Sequence, residues 1–220
     1  MAKKTSYSRR RSRPVSQNKN TPDKNILILA GIAVVIVVAV ASILLLGGND
    51  DSTDGDIMAI IDTTAGTIKV DLYEEKTPNT VENFVTYAND GFYDGLVFHR
   101  VIDGFMIQGG GFYPDGTQKE TDDPIDLEIH PDASHVDGAI AMARTSDPNS
   151  ATSQFFINDG AQSQLEPGGV DPNGYAVFGV VVEGMDVVRS ISSVETTTKN
   201  NMQNWPVEDV IINSVTIEQQ

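Results

Sequence analysis

Ile26 to Leu46 is an unbroken run of 21 residues without a charge, and it limits what the rest of the chain can fold into. Only Gly31 and Ser42 interrupt it, and no polar face recurs at helical spacing. At about 1.5 Å per residue such a helix reaches about 31 Å, close to the roughly 30 Å hydrocarbon core of a bilayer. The run predicts a single transmembrane helix over 26–46, in contact with membrane lipid. A water-exposed domain must then be built from the residues that flank it.

The flanks predict an orientation. Of the 15 Lys and Arg residues, eight lie in residues 1–24, with Asp23 the one acid there. The remainder, seven basic residues (15 less eight) against thirty acids (31 less one), carries a net charge of −23. The positive-inside rule places the N-terminus in the cytoplasm and everything after Leu46 outside it, as a single-pass protein of the cell membrane. A cleaved signal peptide would use Ala39-Val40-Ala41, but the apolar run is too long and continues through Leu46, which favours an uncleaved signal anchor. Residues 1–25 read as a basic, disordered cytoplasmic tail. Residues 47–56 (GGNDDSTDGD) read as an acidic linker. The linker is not a calcium loop, because the twelfth position from Asp50 is Ile61 where a Glu is needed.

So acidic a body repels phosphate backbones, which excludes nucleic acid as a partner. The absence of cysteine excludes disulfides, thiolate catalysis and Cys-ligated zinc. Of the three histidines, His130 and His135 lack a clear third ligand, so no metal site is expected. No G-x-S-x-G places a serine nucleophile.

From Ile57 onward the pattern is one of short strands. Met58–Asp62 and Thr67–Tyr73 flank a turn at Thr63-Thr64-Ala65-Gly66, and Ile68, Val70 and Leu72 alternate with polar residues. Thr77 followed by Pro78 marks a helix start, and Asn89-Asp90-Gly91 its end. Further strands are expected at 96–102, 105–108, 125–129, 138–143, 154–158, 175–182 and 207–217, with a second helix at 185–192. This pattern predicts a mainly β domain over 57–220, either a closed antiparallel barrel or a sandwich.

Within it, Phe98-His99-Arg100-Val101-Ile102-Asp103-Gly104-Phe105-Met106-Ile107-Gln108-Gly109-Gly110-Gly111 sets an Arg, a Gln, a Phe and a Met among turn glycines. Such a run can form an apolar pocket with a cation at its rim, which suits a proline ring and its polar amide. Together with Gly138–Ala143, Pro148-Asn149, Ser153-Gln154-Phe155-Phe156-Ile157 and Val177-Phe178-Gly179 before Val182-Glu183-Gly184-Met185, the run resembles the cyclophilin-type peptidyl-prolyl cis-trans isomerases over about residues 57–218. The resemblance implies a closed eight-stranded antiparallel β-barrel capped by two α-helices, behind the transmembrane helix. It also implies an isomerase that acts on proline-containing polypeptides, needs no cofactor or metal, and works as a monomer.

Rotation about an X–Pro bond meets a barrier of about 18–20 kcal/mol because resonance gives C–N double-bond character. In the twisted transition state the nitrogen gains a lone pair, so an enzyme that donates to it binds that form best. The resemblance implies that Arg100 is the donor, that Gln108 holds the turning carbonyl, and that Phe105 completes the catalytic set. Met106, Phe156 and Leu165 would form the proline pocket with Phe105, and Ala143, Arg144 and Tyr175 would line the substrate path. Arg144 stands where the family often has Asn, and would add a second cation to that path. Gln164-Leu165 stands where well-known eukaryotic members have Trp-Leu, and Tyr175 where they have His, which predicts weak cyclosporin binding. Two readings compete with the enzyme: a proline-peptide binding or chaperone module with little catalysis, and a structural surface protein. The folding of proteins outside the cytoplasm is the expected task of the enzyme.

Overall fold

The structure is a computed structural model that describes residues 57–219. The basic tail, the apolar segment 26–46 and the acidic linker 47–56 lie outside the described residues. Among the described residues, no helix is long and apolar enough to cross a membrane.

The elements, in order, are β1 (Ile57–Thr63), β2 (Gly66–Leu72), α1 (Pro78–Asn89), β3 (Arg100–Ile102), β4 (Met106–Gly109), β5 (Ala139–Met142) and β6 (Phe155–Asn158). A short 3-10 turn (Ser163–Leu165), β7 (Val177–Glu183), α2 (Met185–Ser192), β8 (Thr196–Lys199), β9 (Met202–Pro206) and β10 (Ile212–Gln219) follow. Eight strands form one antiparallel sheet in the order β10-β1-β2-β7-β5-β6-β4-β3, and β8 and β9 form a separate ribbon. The sheet curls, because the segment running into β3 meets the segment running into β10. Phe98 N donates to Val210 O (3.0 Å), Ile212 N donates to Leu96 O (2.8 Å), and Val97 bridges Ile211. That single bridge corrects the expectation of a closed barrel, for no ladder joins β3 to β10. β3 is only three residues long, and the β8–β9 ribbon lies along its flank.

Alternation sorts the strands onto two faces. In β1, Ile57, Ala59 and Ile61 are buried while Met58, Ile60 and Asp62 are half-buried. α1 lays Val81, Phe84, Tyr87 and Ala88 into the core, where Phe84 packs against Tyr93, Phe155 and Phe178 at 5.2–5.6 Å between ring centres. In β5 and β6 every residue is buried, so both faces are covered. Ile107, Ile140, Phe155 and Ile157 point into the main core. Their neighbours Met106, Ala139, Ala141 and Phe156 form a second, smaller cluster with Leu165 and Val177. This outer cluster is the floor of the site described below.

Several elements depart from the expectation. Residues 125–129 make one bridge, Ile125 with Ala151, and no strand. The segment instead caps α1: Glu128 accepts hydrogen bonds from Thr80 N (2.7 Å) and Asn79 Nδ2 (2.6 Å). A carboxylate there satisfies donors that a helix start leaves open and opposes the helix dipole. Thr77 makes no side-chain cap, since its hydroxyl is buried toward Tyr73 O and Val177 O. β8 and β9 lie outside the strands that the sequence pattern predicts, because they are polar at most positions. Asn200 and Asn201 turn the ribbon with φ of 50° and 63°, a primed-turn geometry that Asn tolerates. The expected strand 207–217 begins only at Ile212.

Candidate active site

β3 and β4 are a hairpin whose register sets Arg100 opposite Gln108 and Ile102 opposite Met106. Gly104, at φ +67°, makes the turn that a side-chain-bearing residue would strain. Phe105 N then donates to Ile102 O (3.1 Å), which swings Phe105 to the hairpin's end. Arg100 Nη1 donates to Gln108 Oε1 (3.3 Å) and lies 3.8 Å from Met106 Sδ. Gln108 Nε2 in turn donates to Gln154 Oε1 (3.1 Å), so a polar chain runs from Arg100 across two strands. Among the described residues no carboxylate pairs with Arg100. Burial pushes its pKa down from the ordinary arginine value, and the guanidinium stays a cation with donors to offer.

Beside this pair lies a groove of about 280 Å³ lined by Arg100, Phe105, Met106, Gln108, Ala143, Arg144, Phe156, Leu165, Tyr175 and Val170. The nine residues expected from the sequence therefore come together, and Val170 joins them. The register explains how: Phe156 of β6 sits opposite Gln108 on β4 and opposite Ala141 on β5. Leu165 reaches the floor from the 3-10 turn and is buried. One end of the groove is thus cationic and hydrogen-bonding, and its floor is apolar. The arrangement can hold a small apolar ring and present an N–H donor at its edge.

A family model described as cyclophilin type peptidyl-prolyl cis-trans isomerase/CLD matches residues 58–217. The chain is 48% identical over 158 residues to peptidyl-prolyl cis-trans isomerase A of Dickeya dadantii (strain 3937), covering 72% of this chain and 83% of that one. It is 46% identical over 164 residues to peptidyl-prolyl cis-trans isomerase B of Escherichia coli (strain K12), covering 74% and 100%. A crystal structure of a Cryptosporidium parvum cyclophilin type isomerase matches with a TM-score of 0.64 and 29% identity, over 74% of this chain and 99% of that one. The chain belongs to the cyclophilin-type peptidyl-prolyl cis-trans isomerases.

In this cyclophilin Arg144, expected as a second cation near the substrate path, lines the groove and is already paired. Its side chain is 1% exposed, pairs with Asp171 Oδ1 at 2.7 Å, and donates through Nε to Gly174 O at 3.1 Å. The guanidinium also covers the Tyr175 ring, 4.6 Å from its centre. A buried arginine needs such partners, since its desolvation is costly. The partners lie 27 to 31 positions further along the chain, so nothing local in the sequence marks them.

Two further residues, His135 and Asp159, support the groove. His135 stacks parallel to Phe156 at 5.9 Å, with Nε2 3.3 Å from Tyr175 O, and burial lowers its pKa. A neutral imidazole there props the floor. Asp159 accepts from Gly104 N (3.0 Å) and Ser192 Oγ (2.6 Å), tying the turn before Phe105 to α2. Both contacts bridge distant segments, and only Asp159's place just after Phe155–Asn158 hinted at a nearby role.

Proposed function

We propose that this cyclophilin is a single-pass, membrane-anchored isomerase that turns X–Pro bonds by non-covalent stabilisation of the twisted amide, with Arg100 as the donor to the proline nitrogen. One observation carries the assignment of Arg100: a guanidinium without a carboxylate partner among the described residues stands 3.3 Å from Gln108 at the rim of an apolar groove. The ring would sit on Met106, Phe156 and Leu165 beside Phe105, and Gln108 would hold the carbonyl that turns. Ala143 and Tyr175 would flank the peptide. The Cryptosporidium relative was crystallised in the presence of the dipeptide Ala-Pro, which supports a proline-containing peptide as occupant.

A charge-assisted hydrogen bond is worth about 1.5–3 kcal/mol, or roughly ten- to a hundredfold in rate when made only at the transition state. The rest of the acceleration would come from fixing the ring while the carbonyl side turns. An isomerisation assay on the full chain tests this reading. Arg100→Ala should lower kcat/KM by about ten- to a hundredfold. Equal rates in the two proteins would remove Arg100 as the donor, and a wild-type rate no higher than the uncatalysed one would leave only a proline-binding module.

The membrane anchor rests on the uncharged run 26–46 and its basic flank. In this reading the N-terminus is cytoplasmic, the acidic linker spaces a monomeric catalytic domain from the lipid, and clients are proteins folding outside the cytoplasm. Protease added to intact cells should cut the domain. A domain left intact while an external marker is cut would refute that topology. Weak cyclosporin binding follows from Gln164, which offers neither indole N–H nor aromatic surface.

A further inference from the structure

The loop 166–174 follows the 3-10 turn and contributes Val170 to the groove. Val170 is 70% exposed, the most exposed of the large apolar side chains among the described residues. Its place is nonetheless built. Val170 N donates to Gln164 O (2.8 Å) and Gly169 N to Glu166 O (2.9 Å). A Cβ on Gly169 would lie 2.1 Å from Gln164 O, so the backbone closes on itself where only glycine fits. At the loop's far end Gly174 packs closely on Pro167, where a Cβ would come within 2.7 Å of Pro167 N.

Arg144 holds this loop from below. Its guanidinium is shared among Asp171, the Gly174 carbonyl and the Tyr175 ring, with Nη1 donating to Thr145 O. The hydrogen bond from Arg144 holds the Asp171 carboxyl below its ordinary pKa, so Asp171 is a carboxylate near neutral pH. Nε and Nη2 of the guanidinium are therefore engaged by the loop, while Nη1 donates to Thr145 O (2.9 Å). What the loop presents to a substrate is apolar: Val170, with Leu165 and Tyr175 beside it.

The direction of the peptide follows from the two grooves that share this wall. A second groove, lined among others by Gln118, Thr152 and Gln154, joins the first through Gln108, Ala143 and Arg144. It is polar and lacks Val170. Gln108 is assigned above to the turning carbonyl, which belongs to the residue before proline. The chain before proline then runs toward the second groove, and the residue after proline leaves over Val170.

We propose that Val170, fixed by the Arg144-braced loop, selects an apolar residue immediately after the proline. The inference rests on the isomerase reading above. Val170 is the contact, and Arg144 is a positioning residue that acts through the loop. An aliphatic side chain laid on a partly exposed valine is favoured by about fivefold over glycine, below the effect of a fully enclosed methylene pocket.

The test measures kcat/KM of the full chain on two peptides that differ only after proline, one with Leu and one with Gly. A second pair carries the same change before proline. The wild type should prefer Leu after proline by about fivefold and show a smaller preference before it. Val170→Ser should bring the Leu-to-Gly ratio close to one, and so should Arg144→Gln. The double variant should lower the ratio no further, because both changes act on one contact. Each ratio is taken on a single sample, so partial unfolding lowers both rates and leaves the ratio alone. An unchanged ratio in Val170→Ser, or a preference confined to the residue before proline, would overturn the inference while leaving the isomerase intact. A ratio that falls additively would remove Arg144 from the loop's role. A wild type that turned over no peptide would overturn the isomerase reading itself, and the inference with it.

Discussion

Lowering the pH from 7 to 4.5 should weaken this fold through one side chain, His99, by an amount that its surroundings set. His99 precedes Arg100 and is 4% exposed. Its ring lies 4.7 Å from Phe112 and 6.0 Å from Trp205, and its Nδ1 has no hydrogen-bond partner. Burial is the main cause that lowers its pKa from 6.5 to about 4, with neighbouring Arg100 acting in the same direction and a backbone hydrogen bond at Val97 opposing both. The folded state thus binds this proton less tightly than the unfolded state. Between pH 4 and 6.5 the unfolded chain holds more protons, so stability rises with pH across that window. The contribution is complete above 6.5 and is lost as pH falls toward 4. The gap between those values, at about 1.36 kcal/mol per pH unit, limits the loss to about 3 kcal/mol, of which roughly 2.5 is reached by pH 4.5. Trp205, the sole tryptophan, is buried against the same ring and reports unfolding in urea by its fluorescence. Wild type, His99→Phe and His99→Gln should be compared at pH 7, 5.5 and 4.5. Carboxylates and His135 titrate in all three proteins and cancel in the difference. Wild type should lose about 2–3 kcal/mol more than His99→Phe over this range. Parallel losses in the three proteins would show that His99 does not set the acid sensitivity.

Two further changes test how the scaffold is held. Glu128→Ala removes the carboxylate that caps α1 from 48 residues away, and should cost about 1–2 kcal/mol in urea unfolding, whereas Thr77→Ser should cost less. Gly184→Ala should be more damaging, because Gly184 has φ +93° and a Cβ would lie 2.4 Å from Thr67 O. Strain and collision together should lower stability by about 3 kcal/mol or more. An unchanged urea midpoint would show that α2 can start elsewhere.

The sequence made the strands and the groove legible to different degrees. Alternation in β2 and the Pro78 and Gly91 punctuation of α1 lie within single elements, and short-range rules read them. In Phe155-Phe156-Ile157 every residue is apolar, so period alone does not separate core from groove. The resemblance separated them, and the β4–β6 register explains the result. What stayed hidden depends on distant partners. Glu128 caps a helix start far upstream, Arg144 reaches Asp171 and Gly174, and Asp159 joins a turn to α2. The incomplete barrel is hidden for the same reason, since its edges meet at Val97 and Ile211, far apart in the chain. The β8–β9 ribbon had one local signal, Asn200-Asn201, outweighed by polar strands on either side.

In the proposed mechanism Arg100 acts on the twisted amide more than on the planar peptide. Exchange spectroscopy on a proline peptide held at equilibrium separates the two, because it gives the cis–trans rate and the bound fraction from one sample. Arg100→Ala should lower the exchange rate by about ten- to a hundredfold while peptide affinity changes by less than about threefold. A variant that loses affinity and rate in equal proportion would contradict the account, since Arg100 would then hold the planar peptide as firmly as the twisted one.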